Sequence, residues 1–107
     1  MIRKLPFLLT IVIVGMIISL AGMEKQIVSP GNQDLSLPFS PGILSEDFLF
    51  ISGASGNIPG TRQLAGMDIE SQTRQAMENI GQVLRAGGMD FSDVVSSNVY
   101  LADVRHF

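Results

Sequence analysis

At 107 residues the chain has room for one domain at most, because domains ordinarily need about 100 to 150 residues. It contains no cysteine, which excludes a disulfide framework, a thiolate metal site and a cysteine nucleophile. A formal charge of −3, which loss of Arg3 and Lys4 would make more negative, disfavours nucleic acid as a partner.

The chain opens on Arg3 and Lys4 and then runs without charge from Leu5 to Leu20, rich in Leu, Ile and Val. That is the n-region and h-region pattern of an export signal. Ser19 and Ala21 have the spacing that signal peptidase prefers, just ahead of Glu24 and Lys25, so cleavage is expected after Ala21 or Gly22. The uncharged stretch from Leu5 to Met23 is also close to the ~20 residues that cross a bilayer as a helix. An uncleaved anchor over residues 5–23 is therefore the alternative, weakened by Pro6 and Gly15. The expected organisation is a signal peptide or transmembrane helix over 1–22 and a soluble unit over 23–107. The expected location is exported, periplasmic or extracellular, or else anchored, with membrane contact only through this leader.

From Gln26 to Pro41 the prolines Pro30, Pro38 and Pro41, with Gly31 and Asn32, forbid a regular helix and favour extended segments joined by turns. Phe48-Leu49-Phe50-Ile51-Ser52-Gly53 reads as a short buried strand, aromatic and β-branched between acidic residues and glycine. Gly53, Gly56, Asn57, Pro59 and Gly60 form the next loop. Loops of this composition serve as plain turns, and their free backbone N–H groups can also hold an anion.

Ile69, Ala76, Met77, Ile80, Val83 and Leu84 recur at three- and four-residue spacing, which predicts an amphipathic helix from about Asp68 to Ala86. Asp68 is suited to the N-cap and Glu70 to the positive end of the dipole. Glu70 and Arg74 form an i,i+4 pair, and Gly87-Gly88 is the stop. Asp90 and Asp93 suit capping or turn roles before the next segment. From Val94 to Leu101, Val95, Ser97, Val99 and Leu101 alternate with Ser96, Asn98 and Tyr100, which predicts a half-buried strand. Strand, helix, strand in this order predicts an α+β or α/β sandwich with the helix on one sheet face. One helix and so few strands make the sheet look unfinished.

Generic searches for chemistry return little. His106 has no histidine or cysteine partner, so neither a metal site nor a catalytic triad is supported. There is no Walker loop and no glycine fingerprint between strand and helix.

The succession Gln26-Ile27-Val28-Ser29, Leu37-Pro38-Phe39-Ser40, Phe48 to Gly53, the helix "DIESQTRQAMENI" and Val94 to Phe107 resembles the Rid/YjgF family over nearly all of residues 24–107. The "SG" after the strand, the helix and the "VYLADV" run are the most specific parts. Met23-Glu24-Lys25-Gln26 is similar to the start of cytosolic members. The resemblance implies a chorismate-mutase-like α+β fold, a mixed sheet with helices on one face, incomplete in this chain; the N-terminal apolar helix expected from the leader's own pattern precedes it as an addition. It implies a homotrimer with pockets at the subunit interfaces and no cofactor or metal. The activity it implies is that of a deaminase, a hydrolase converting reactive enamines and imines such as 2-aminoacrylate to 2-oxo acids and ammonia. In the family an arginine forks onto the substrate carboxylate and a glutamate handles the water. Both lie beyond Phe107, and Arg105 is not that arginine.

Carried over residue by residue, the substrate-binding candidates are Phe39, Ser52 and Gly53. Phe39 stands where the family's G-P-Y-S-Q segment has tyrosine, Leu37 replaces its glycine, and Pro41 replaces its glutamine. Ser52-Gly53 match the pocket-lining "SG", and Ala54 replaces the usual glutamine. Two readings follow: an exported imine deaminase completed by further strands and a trimer, or a non-catalytic ligand-binding or interaction module on the same fold, the expected partner being a small imine, enamine or other small carboxylate. The 23–107 segment alone is expected to be inactive and poorly folded.

Overall fold

The computed structural model describes residues 24–32 and 36–107. The expected leader over 1–22 lies outside the described residues. Among those described, no helix is long and apolar enough to cross a membrane.

Three short strands, β1 (Gln26–Val28), β2 (Gly42–Ser45) and β3 (Phe48–Ile51), form one sheet in the order β1-β2-β3. Both pairs are antiparallel, so the described part of the sheet is all-antiparallel. Strand β2, over residues to which the sequence reading assigns no element, is the central one. A two-residue turn, Glu46-Asp47, joins it to β3 with Ser45 opposite Phe48. Glu46 takes the left-handed conformation at φ 54° that so tight a connection asks for.

The register sorts the side chains. Val28, Gly42 and Ile51 stand in one cross-strand row, and Ile27, Ile43 and Phe50 in the next. Neighbouring rows point to opposite faces. The Val28 row faces the helix α1 (Ile69–Ala86). At Gly42 an added Cβ would stand 3.0 Å from Val83 Cγ1 and 3.2 Å from Leu49 Cδ1, and at Gly87 it would stand 2.8 Å from Leu49 Cδ2. Helix and sheet therefore close on each other through two residues without side chains. The core around them is Val28, Val83 and Leu84, the last two only 4% and 3% exposed. On the other face Ile27, Phe48 and Phe50 are exposed, with the two rings 6.5 Å apart. The expectation that 48–51 is a buried strand is thus corrected: among the described residues it is covered on one face only, by α1.

Helix α1 begins and ends where its sequence signals place it. The Asp68 carboxylate accepts the Ser71 N–H at 2.9 Å, filling one of the vacant donors of the first turn. This bond and the Ser71 hydroxyl hold the Asp68 carboxyl below its ordinary range. Glu70 and Arg74 pair at 3.0 Å on the exposed side. At the other end the Met89 N–H reaches the Leu84 carbonyl and the Gly88 N–H the Arg85 carbonyl. Gly88 has φ 74°, which completes a Schellman stop.

Asp90 then forms a reciprocal capping box with Asp93 around the short 3-10 turn Phe91–Asp93, in keeping with the capping role expected for both. The Phe91 ring lies over Gly81, 3.1 Å from where a Cβ would be. Beyond it the expected half-buried strand at Val94–Leu101 is not formed. No residue of this run joins a ladder, and Val95 and Tyr100 are 87% and 90% exposed. The alternation is real, but the run pairs with neither outer strand of the described sheet, and an unpaired strand cannot satisfy its backbone groups by itself. The described residues end in a 3-10 turn, Val104–His106, capped by Asp103.

Candidate functional site

The end of β3, the glycine-rich loop behind it and the helix enclose a cavity of about 140 Å³. Ile51, Ile80 and Val83 contribute an apolar wall, and Leu37, Phe39 and Pro41 border it from the entry segment. Ser52, Gly53, Ala54 and Ser55 continue β3 into the lining, and Asn57 to Thr61 follow. Among the described residues, no charged side chain lines it.

The three substrate-binding candidates come together here. Phe39, Ser52 and Gly53 all line this cavity, although Phe39 lies in a separate segment from the other two. The Ser52 amide donates to the Pro41 carbonyl at 3.0 Å, and its hydroxyl donates to the same oxygen at 3.2 Å. With its proton spent on Pro41, the hydroxyl retains lone pairs that can accept an N–H from a ligand. Nothing lies within 4 Å of a Cβ added at Gly53. The amides of Gly53, Ala54 and Ser55 have no acceptor among the described residues, which leaves three donors at the cavity edge.

One set of residues was not anticipated. Helix α1 carries a stripe of carboxamides, Gln72, Gln75, Asn79 and Gln82, beside its apolar face, and it fastens the loops to the helix. Gln72 Nε2 donates to the Gly66 carbonyl at 3.0 Å. Asn79 Nδ2 donates to the carbonyls of Ser55 at 3.1 Å and Asn57 at 2.8 Å, while its oxygen accepts Gln75 Nε2 at 2.9 Å. Gln82 Oε1 accepts from Asn32 Nδ2 at 2.7 Å, drawing in the turn after β1. Between the two carbonyls held by Asn79, Gly56 is pressed onto the helix backbone: a Cβ there would stand 2.5 Å from the Gln72 carbonyl oxygen. The loop also closes on itself, the Ile58 amide bonding Gln63 and the Ala65 amide bonding Gly56, both at 2.8 Å. The signal was available in the sequence as amide side chains at 3, 4 and 3 spacing, the same geometry that marks an apolar face.

Arg105 and His106 are not part of the cavity lining. Arg105 instead forks onto the Asp103 carboxylate, which holds that carboxyl below its ordinary range, helped by the Arg105 amide. Among the described residues, no group of three or more His, Asp or Glu side chains could hold a metal.

The arrangement defines an α+β protein with a small neutral cavity between a strand-end loop and a helix. Residues 32–107 match the family described as endoribonuclease L-PSP, and the chain belongs to this family, the Rid/YjgF proteins. It is 35% identical over 91 residues to the chloroplastic reactive intermediate deaminase A of Arabidopsis thaliana, covering 84% of this chain and 49% of that protein. To the 2-iminobutanoate/2-iminopropanoate deaminase of Bos taurus it is 33% identical over 89 residues, covering 82% of this chain and 65% of the relative. A crystal structure from Thermotoga maritima, described as an endoribonuclease, superposes with a TM-score of 0.60 at 30% identity over 67% of this chain and 57% of the other. The chain thus spans between about half and two thirds of the length of these proteins. All four positions where it departs from the pattern quoted above, Leu37, Phe39, Pro41 and Ala54, line the cavity.

Proposed function

We propose that this protein is an exported Rid-family deaminase that hydrolyses reactive enamines and imines, such as 2-aminoacrylate, to 2-oxo acids and ammonia, and that it binds them in the cavity beside Ser52 and Gly53. The observation that carries this reading is the convergence of Phe39, Ser52 and Gly53 on one cavity, in a chain whose relatives include proteins named for that activity. The net charge of −3 and a lining without cationic side chains among the described residues favour a small ligand over a polyphosphate backbone.

The chemistry asks for three things. The enamine of 2-aminoacrylate tautomerises to 2-iminopropanoate, water adds across its C=N bond, and the tetrahedral adduct expels ammonia to leave pyruvate. A carboxylate must be held, an imine N–H must be oriented, and a proton must move from water to nitrogen. The unpartnered amides of Gly53, Ala54 and Ser55 suit the first task, and the accepting lone pairs of Ser52 Oγ suit the second. The acid–base group and a guanidinium for the carboxylate are assigned to the family's C-terminal part or to a neighbouring copy. A homotrimer on a chorismate-mutase-like mixed sheet accounts for the exposed apolar face of Ile27, Phe48 and Phe50 and for the unpaired run Val94–Leu101. Residues 1–22 are assigned to export or anchoring on their charge and hydropathy pattern. Ammonia release from 2-aminoacrylate generated in situ, with the full-length chain against buffer, tests the activity. Acceleration by the protein is expected, and a rate equal to buffer refutes the reading.

A second reading has its own observation. The departures at Leu37, Phe39, Pro41 and Ala54 all fall on the cavity; Phe39, Pro41 and Ala54 remove polar groups from the family pattern, and Leu37 adds apolar bulk in place of glycine. This favours a different ligand, or binding without turnover, on the same fold. Saturable binding of 2-oxobutanoate by a protein that releases no ammonia is its expected signature.

A further inference from the structure

We propose that Asn79 is a positioning residue for the cavity, clamping the loop after β3 onto α1 so that the free amides of Gly53, Ala54 and Ser55 are held in one arrangement for a ligand. The inference rests on the reading of this cavity as the ligand site.

A carboxamide has two N–H donors and a carbonyl oxygen, and all three of these groups are engaged here. The donors go to the Ser55 and Asn57 carbonyls and the oxygen to Gln75. The two carbonyls flank Gly56, the residue that touches the helix backbone, so a polar clamp and a steric contact fix the same three residues. Helix docking does not depend on it. Val83 and Gly87 meet the sheet at Gly42 and Leu49 by contacts in which Asn79 has no part. A loop of this length with two unmatched carbonyls would sample other arrangements, and the neighbouring amides would then lose their common geometry, which is what orientation of a small ligand requires.

The substitutions separate this from a packing role. Asn79→Ala deletes the clamp. Asn79→Asp keeps the shape but replaces the donating NH2 by an ionised oxygen facing two carbonyl oxygens. If Asn79 merely fills space, Asp is the milder change. If it clamps by donating, Asp is the more damaging one. Amide hydrogen exchange and calorimetric titration with 2-oxobutanoate, on the full-length chain and both variants, decide the matter. Exchange at Ile58 and Ala65, whose N–H groups are bonded within the loop, is expected to rise about tenfold in Asn79→Ala and further in Asn79→Asp, while the helix amides of Val83 and Leu84 stay protected. Affinity for 2-oxobutanoate is expected to fall about tenfold in Asn79→Ala, the size of one or two lost hydrogen bonds, and more in Asn79→Asp. Unchanged loop exchange, an Asp variant that behaves like the parent, or faster exchange with undiminished affinity would each overturn the proposal. A parent chain that does not bind 2-oxobutanoate, with loop exchange responding as described, removes the small-carboxylate reading and leaves the clamp standing.

Discussion

Strand β3 and the run Val94–Leu101 both read as strands in the sequence, yet one is built into a sheet and the other is not. Phe48–Ile51 is a continuous apolar run and Val94–Leu101 alternates, but each is rich in aromatic or β-branched residues and each is bordered by turn formers. Phe48–Ile51 has β2 beside it across a two-residue turn, and α1 behind it. Val94–Leu101 follows a capped 3-10 turn and meets no described edge. Alternation belongs to one segment, whereas a strand is a property of two. A period of two therefore states which face a segment would bury once a partner exists, without stating that the partner is there.

This contrast makes graded predictions. The largest effect belongs to the packed region: Leu84→Ala, at a side chain 3% exposed, is expected to cost about 3 kcal/mol of unfolding free energy in urea. Its counterpart Val99→Ala, exposed on the unpaired run, should stay within about 0.5 kcal/mol. Equal costs would mean that Val94–Leu101 is packed in solution after all. Next comes Gly56→Ala, whose methyl has nowhere to go against the Gln72 backbone. A loss of about 2 kcal/mol is expected, read as a lower thermal midpoint. Gly53→Ala, a few residues away with open space around its Cβ, is expected to leave the midpoint unchanged and to weaken 2-oxobutanoate binding, because the methyl stands beside the cavity. A drop in stability there would remove the distinction between loop wall and loop anchor.

The smallest effect is a pH dependence. Asp68 is held below its ordinary value of 3.8 mainly by the Ser71 amide, and Asp103 below 3.8 mainly by the Arg105 guanidinium. A carboxyl with a lowered folded-state pKa adds stability that is fully present above the unfolded value and is lost as pH falls through the folded one. Only Asp68 caps an element of the core. Asp68→Asn should therefore lessen the acid sensitivity of global unfolding below about pH 4, and Asp103→Asn should leave it alone. Matching responses would tie the tail to the core.

The sequence made the helix legible to the residue, because caps, charge order and apolar spacing are local signals and α1 obeys all of them. Strand β2 was not legible. Gly42-Ile43-Leu44-Ser45 is too short to show a period, and its clue was the pair Glu46-Asp47 between two apolar runs, a hairpin signal that needs both flanks read together. The site was half legible. Phe39, Ser52 and Gly53 came from resemblance and fall on one cavity. Gln72, Gln75, Asn79 and Gln82 were passed over because amides on a helix ordinarily belong to a solvated face. They are bonded here because the loop after β3 turns back across the helix, and that geometry is set by tertiary packing at Gly56.

The most direct test of the central claim, that this cavity is the ligand site, is an amide NMR titration of the full-length chain with 2-oxobutanoate, a stable product analogue. Shifts concentrated at Ser52, Gly53, Ala54 and Ser55, with smaller ones at Asn57 and Asn79, are the predicted result. Saturation with shifts confined to other regions, or no shift at all, would contradict it.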